Sequence, residues 1–298
     1  MRTAAATSGG WSARISRGLV IAALLALAGC GLGIVYPRLD TIAAYYVERL
    51  VTLDDAQSRQ LDDLLAASLD RHRASEPERY AAFLRSLAAS VGREAGAEVW
   101  QQAVQQTDEF WHDLGGELAN VAIGIGPTLT DQQVGELLAN LARRDQDEWQ
   151  EFGDLTPAER LERRQKRLRR TLERFTGRLD ARQRELVDAH AAVAGSFMAE
   201  WRDNRRAWRE QLAAALAVRG SHDEFARRMS LLVARPDELW TPQYRAAIER
   251  RRTQTVELLA ALDATLTPRQ RVIASRRLGS LADELARLAQ AGDRERPA

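Results

Sequence analysis

The sequence predicts an all-α protein: a curved multi-helix bundle standing behind an N-terminal export segment. Three observations carry this. A pattern of leucine, then Thr or Asp, two further residues, then Gln or Glu recurs at 53–57, 129–133, 155–159, 179–183 and 266–270. Between these starts the apolar residues keep to three- and four-residue spacing, the period of one helix face. Alanine, leucine, arginine and glutamate dominate, valine and isoleucine are sparse, and no stretch alternates as a half-buried strand would. A bundle of roughly eight to ten helices follows.

Residues 1–29 have the build of an export signal. Arg2, Arg14 and Arg17 precede an apolar run, Leu19–Ala28, and no acidic residue interrupts. The run is about ten residues long, half the roughly 20 that a bilayer-spanning helix needs. It closes on Leu27-Ala28-Gly29-Cys30, which resembles the lipobox of bacterial lipoproteins. That resemblance implies cleavage before Cys30, a diacylglycerol on its thiol and acylation (typically palmitate) of its new amino group. The alternatives are an ordinary signal peptide that ends in a cysteine and a buried apolar helix. Cys30 is the only cysteine, so no disulfide partner exists within the chain. Several acyl chains on one residue give stable anchoring, where one chain is marginal. Gly31 stands where aspartate favours inner-membrane retention, so the expected address is the periplasmic face of the outer membrane.

Removing the three leader arginines from 43 basic residues leaves 40 against 42 acidic ones, a mature charge near −2. That balance, with export, argues against nucleic acid as a partner. A single lysine, Lys166, stands among the arginines, as a GC-rich genome would produce.

Residues 30–38 form a lipidated tether and 39–292 the helical periplasmic domain. Leu39, Ile42, Tyr45, Tyr46 and Leu50 mark a first helix near the membrane. Its tyrosines either reach the headgroup level or make core contacts. The five recurring motifs read as capping boxes. The Thr or Asp oxygen accepts from the third helical N–H, and the Gln or Glu reaches back to the cap's own N–H. Pro157 and Pro268 occupy the first helical position, where a missing N–H costs nothing. Trp240-Thr241-Pro242 is a similar start. After the first box Leu61, Leu65, Leu69 and His72 make a stripe. Tyr80, Leu84, Leu87 and Val91 start another after Pro77, and Trp100, Val104, Trp111, Leu114 and Leu118 extend it. Leu186, Val193, Phe197, Trp201, Trp208 and Leu212 mark a long helix after the fourth box. Leu278, Leu281, Leu285 and Leu288 close the chain, and 293–298 reads as a disordered tail. Breaks are expected at Gly124–Pro127, Gly153, Gly177, Gly220 and Arg235-Pro236. The box spacing suggests two related halves, about 39–153 and 179–292, joined by the arginine-rich helix 157–175.

Cys30, Val35-Tyr36-Pro37-Arg38-Leu39-Asp40, Leu53-Asp54-Asp55-Ala56-Gln57, Arg71-His72-Arg73 and Pro77-Glu78-Arg79-Tyr80 together resemble an uncharacterised Gram-negative lipoprotein family, a domain of unknown function. Thr241-Pro242-Gln243-Tyr244 fits the same pattern. The resemblance spans the mature chain and implies a helical fold and an envelope location, with no catalytic residues to carry over. Pro37 replaces a more usual polar residue, and Asp54 and Asp180 replace Thr as caps. The repeated Leu-Thr-x-x-Gln starts also give a looser likeness to the Spy/CpxP-type periplasmic chaperones, small cofactor-free helical proteins that cradle unfolded clients.

No reaction is legible. His72, His112, His190 and His222 show no metal-ligand spacing, and there is no nucleophile elbow or phosphate-binding glycine loop. His72, on an apolar stripe, reads as packed or hydrogen-bonded. Gly115-Gly116 and Gly124-Ile125-Gly126 read as helix ends and turns. No enzyme activity, cofactor or metal is expected. Two surfaces are candidates for binding. Arg163, Arg164, Arg167 and Arg170, on a helix that also carries Arg160, Lys166, Arg169 and Arg174, form either a solvated face or a site for anionic headgroups or an acidic partner. Trp201, Arg205 and Trp208 either pack in the core or line a client groove. The expected function is a membrane-anchored, non-enzymatic binding role for a protein or envelope component, chaperone-like or stress-related; a structural or assembly adaptor for one envelope complex is the alternative.

Overall fold

A computed structural model describes residues 36–195 and 197–294. Among these, ten α-helices and three short 3-10 turns occur, and no strand. The helices are α1 (Leu39–Glu48), α2 (Asp55–Val91), α3 (Gly96–Ile125), α4 (Asp131–Gly153) and α5 (Pro157–Thr176). They continue with α6 (Ala181–Val193), α7 (Met198–Ala217), α8 (His222–Ala234), α9 (Pro242–Asp263) and α10 (Pro268–Arg294). The leader, Cys30 and the residues from 295 onward lie outside the described residues, as does most of the expected tail.

All five capping boxes form. The N3 backbone N–H donates to Asp54, Thr130, Thr156, Asp180 and Thr267 at 2.8–3.2 Å. The N3 side chain accepts from the cap N–H each time, at 2.7–3.1 Å. Thr241 caps α9 alone, accepting from Tyr244 N at 3.3 Å.

Four of the boxes do more. Those of α2 and α4 meet end to end: Gln57 Nε2 donates to Gln133 Oε1 at 3.0 Å and Gln133 Nε2 returns the bond at 2.6 Å. Each amide spends its second N–H on the carbonyl two residues before the other's cap, Thr128 O and Thr52 O, both at 2.8 Å. Those of α6 and α10 repeat the arrangement. Gln183 and Gln270 exchange bonds of 3.0 and 2.8 Å and donate to Thr265 O and Arg178 O at 3.0 Å. A primary amide has two donors and two acceptor lone pairs, so Gln183 is saturated. It is also fully buried, at 0% exposure. The remaining box, on α5, carries Glu159 in place of Gln. A carboxylate cannot donate, and this box faces solvent without a partner box.

Packing runs across the two stretches that carry these pairs. α10 lies along α2, and α3 contacts α2, α8 and α9. The largest cluster joins Tyr80, Leu84 and Val91 of α2 to Phe110, Phe175, Leu278, Leu281 and Leu285. A second gathers Leu141, Leu212, Leu216, Phe225, Met229 and Leu232. Smaller ones bind α1 to α2 and α3, and Leu179 and Val187 to Leu258 and Leu262.

Three helix boundaries differ from expectation. No helix starts at Pro77: α2 runs through it, and the buried proline costs one backbone bond that the flanking packing offsets. The stripe expected to continue from Val91 through Trp100 is broken at 92–95. Asp263, 1% exposed, accepts there from Ala95 N at 2.8 Å, and Arg271 donates to Val91 O at 3.0 Å. The stop is held in place by α9 and α10. The long helix expected through Leu186–Leu212 is two helices, divided where Gly195 takes a left-handed φ of +56°. Gly115 is not at a helix end. It sits inside α3, where a Cβ would come within 2.7 Å of Val233 O, so the glycine permits the close approach of α8.

Candidate functional site

The N-terminal end of the described chain is moored. Tyr36, 7% exposed, places its hydroxyl 2.9 Å from His72 Nδ1, and His72 Nε2 lies 3.1 Å from the Tyr80 hydroxyl. His72 is buried within α2, so the expected packed, hydrogen-bonded histidine is what the fold contains. A neutral imidazole suits this chain, since one nitrogen donates while the other accepts. Burial pushes the His72 pKa below 6.5, opposed by Glu76, Glu117 and Asp113 and assisted by Arg73. Burial likewise raises Tyr36 to about 12 and raises Tyr80. The nearby buried Glu76 accepts from Arg79 at 2.8 and 3.0 Å, and Arg79 also donates to Asp113 at 2.8 Å. Both ring nitrogens are engaged and the ring is buried, so the arrangement fastens the Tyr36 segment to α2.

Beside the mooring, α1 shows an apolar outer side. Ile42, Tyr45 and Tyr46 are exposed, Tyr45 at 54%, and only Ala44 of this helix is buried. The alternative of tyrosine core contacts is thereby removed.

The arginine-rich helix α5 is strongly amphipathic. Leu168, Leu172 and Phe175 turn toward α6, α9 and α10. Arg163, Lys166, Arg167 and Arg170 turn to solvent. Arg164 and Arg169 lie at the edge of the buried side: Arg169 pairs with Asp188, Nε to Oδ1 at 2.8 Å, and Arg164 Nε donates to Ala191 O at 3.2 Å. The expected cationic face therefore exists, as Arg163, Lys166, Arg167 and Arg170.

The second candidate surface is largely spent within the fold. Arg205 Nε donates to Asp145 Oδ1 at 3.2 Å and its guanidinium covers the Trp208 ring at 4.7 Å. Arg209 closes on the same carboxylate. Trp208 Nε1 donates to Leu232 O at 3.1 Å, and Arg202 lies 4.1 Å over Trp149. Trp201 is half-buried. The buried Asp145 of α4 draws this side of α7 inward, so Arg205 and Trp208 serve the α4–α7 junction. A different surface is concave: an open groove of about 560 Å³ between α2 and α3, whose lining mixes Phe83, Leu87 and Val99 with Ser86, Gln102 and Gln106.

Among the described residues no group of three or more His, Cys, Asp or Glu side chains could hold a metal ion. No helix among them is long and apolar enough to cross a membrane. The family of unknown function DUF6279 matches residues 49–245. The chain belongs to that family. The match begins just before the first capping box and reaches the start of α9, so it takes in the mooring histidine, the cationic helix and the first pair of boxes. It stops short of the α10 box that pairs with Gln183. No curated protein and no solved structure matches the chain.

Proposed function

We propose that this chain is a lipid-anchored protein of the bacterial envelope with a non-enzymatic binding role, held at the membrane through Cys30 and presenting the cationic face of α5 to an anionic partner. The observation that carries the reading is the mooring of Tyr36. Only residues 31–35 separate it from Cys30. Six Cα–Cα steps span at most about 21 Å. A lipid on Cys30 therefore holds the bundle close to the headgroups, with the exposed Ile42, Tyr45 and Tyr46 within reach of the interface. Tyrosine favours that depth, its ring in the apolar boundary and its hydroxyl in water. The compact Arg163–Arg170 face fits an adaptor for an envelope component better than a broad client cradle. A guanidinium offers two parallel donors to a carboxylate or phosphate, and several on one helix make a local positive field in a near-neutral protein.

The test uses the mature lipidated protein in vesicles, carrying Tyr45→Cys labelled with an environment-sensitive dye. With Cys30 acylated, that thiol is the only free one. A blue-shifted emission, quenched by lipids spin-labelled near the headgroup, supports the reading. Protein that floats with vesicles but keeps a water-exposed dye refutes the orientation. Protein that fails to float refutes the anchor.

A chaperone-like role is the second reading, and the open α2–α3 groove, with Phe83 and Leu87 among its mixed polar and apolar lining, is the surface that would serve it. Suppression of light scattering from a chemically unfolded client near stoichiometric ratio, lost on Phe83→Glu, would support it.

A further inference from the structure

Tyr36 is held by a hydrogen bond whose donor and acceptor roles change with a single proton. Its hydroxyl stands 2.9 Å from His72 Nδ1, and the Tyr80 hydroxyl stands 3.1 Å from His72 Nε2. Among the described residues neither hydroxyl has a further hydrogen-bond partner. With a neutral ring the chain is complete: one tyrosine donates to the bare nitrogen and the other accepts from the N–H. A protonated ring donates from both nitrogens. Neither tyrosine can then donate to it. The hydroxyl proton that did so loses its acceptor, and a cation sits among side chains that are all buried. The two tyrosines are not equally free to leave. Tyr80 lies in the largest apolar cluster, its ring centroid 4.5 Å from that of Phe110. Tyr36 belongs to a three-residue 3-10 turn ahead of α1, and its ring meets that of His72, at 6.1 Å between centroids. Swinging Tyr36 out opens the Nδ1 side of the ring to water, which favours the imidazolium, and leaves the Tyr80 cluster in place.

The charged groups around the ring set the direction. Glu76 of α2 and Glu117 and Asp113 of α3 favour the imidazolium, and Arg73 opposes it. Glu76 stands one turn along α2 from His72 and is buried, but its carboxylate already accepts from Arg79 and Ser75. Asp113 also accepts from Arg79, and Glu117 accepts from Ser68 and Arg71. Each carboxylate that faces the ring thus has donors of its own. Burial outweighs all three and holds the moored ring below its ordinary value of 6.5. A ring opened to water returns toward that value. The released state therefore binds the proton more tightly than the moored one, and acid drives release.

We infer that the Tyr36–His72–Tyr80 chain is a proton-operated latch on the segment that leads to Cys30: at neutral pH it fastens Tyr36 to α2, and acid releases it. After release the tether runs to the head of α1 at Leu39. Its span gains three Cα–Cα steps, about 10 Å of reach. Neutral pH thus keeps α1 short-leashed to the membrane, and acid lets the bundle stand off. The change of reach rests on the anchoring at Cys30 proposed above; the latch itself does not.

The experiment reads the electron paramagnetic resonance of a nitroxide on Arg38→Cys, an exposed position two residues past Tyr36. The mature full-length chain is used in two forms, acylated at Cys30 in phosphatidylcholine vesicles and as soluble Cys30→Ser. In each the new thiol is the only free one. From about pH 8 to about pH 5 the immobile spectrum is expected to give way to a mobile one, the mobile-to-immobile ratio rising by up to about tenfold per pH unit below 6.5. Tyr36→Ala is expected to be mobile at every pH and supplies the released spectrum. His72→Gln is expected to remove the pH dependence. A nitroxide on the exposed Gln211→Cys of α7 is expected to stay unchanged, which separates release from general unfolding and holds as a test even if His72→Gln does not fold. A spectrum at position 38 that ignores pH, or grows less mobile in acid, overturns the latch. So does a transition that persists in His72→Gln, or one that appears equally at position 211. In vesicles, headgroup quenching of a dye on Tyr45→Cys is expected to weaken over the same range; quenching that stays constant while the latch opens overturns the change of reach. Protein that fails to float refutes the anchor, and the Cys30→Ser chain still decides the latch.

Discussion

Replacing Gln183 with leucine is expected to destabilise the protein far more than a helix cap normally does. The side chain is fully buried and makes four hydrogen bonds: to Asp180 N, Thr265 O and both amide atoms of Gln270. At about 1 kcal/mol net per neutral bond, four come to roughly 4 kcal/mol, and the better burial of leucine returns about 1. The expected cost is therefore about 3 kcal/mol, or an unfolding temperature lower by roughly 6–12 °C in a domain of this size. Glu159→Leu supplies the comparison, because it breaks the one of the five boxes that stands alone at the surface; its expected cost is clearly the smaller. The assay is thermal and urea unfolding followed by far-ultraviolet circular dichroism. The double variant Q183L/Q270L should cost less than the sum of the singles, since two facing leucines leave fewer orphaned groups. Equal costs for Gln183→Leu and Glu159→Leu, or strict additivity of the double variant, would refute the claim that paired boxes hold the helix ends together.

Other expectations follow from the same contacts. Asp263→Ala removes a buried carboxylate that serves Ala95 N and Arg271, and should cost about 3–5 kcal/mol by leaving Arg271 unpaired, read by urea unfolding; D263L/R271M should recover much of it. His72 has a folded pKa below 6.5, so the unfolded chain binds its proton first as pH falls. Its contribution to stability is therefore present above about pH 6.5, falls as pH drops through 6.5, and is fully lost below the folded pKa. Unfolding temperatures measured down a pH series should fall with acidification, and His72→Gln should flatten that slope while lowering the neutral value; an unchanged slope would exclude His72 as its source.

Much of the fold was legible because its signals are local. A capping box is written within four residues, and all five formed. Even the choice between Gln and Glu carried information: the four boxes that pair have Gln, and the solitary one has Glu. What that difference meant was not legible, since the partner of Gln57 lies at 133 and that of Gln183 at 270. A new apolar stripe was read as starting after Pro77, yet α2 runs through that proline without a break. The stop at 92–95 had a local signal in Gly92 and in Gly96, which takes a left-handed φ of +72°, and Asp263 and Arg271 hold it from far along the chain. The division at Gly195 did have a local signal, a glycine within an otherwise continuous apolar stripe. The cationic face of α5 was visible from periodicity alone. For Arg205 and Trp208 the sequence left core packing and a groove both open, because Asp145, which draws them inward, belongs to another helix. Nothing within Arg250-Arg251-Arg252 distinguishes Arg252, which meets Asp108, from its neighbours.

The most direct test of the account is the chemistry of the mature N-terminus. Intact-mass and peptide mass spectrometry of the protein purified from membranes of its native host, or of a Gram-negative bacterium expressing it, should find the chain beginning at Cys30 and carrying a diacylglycerol with an amide-linked acyl chain. Cys30→Ser should abolish that mass and release the protein from the membrane fraction. A mature chain with an unmodified Cys30, or cleavage at another residue, would contradict the anchor and, with it, the placement of α1 against the headgroups.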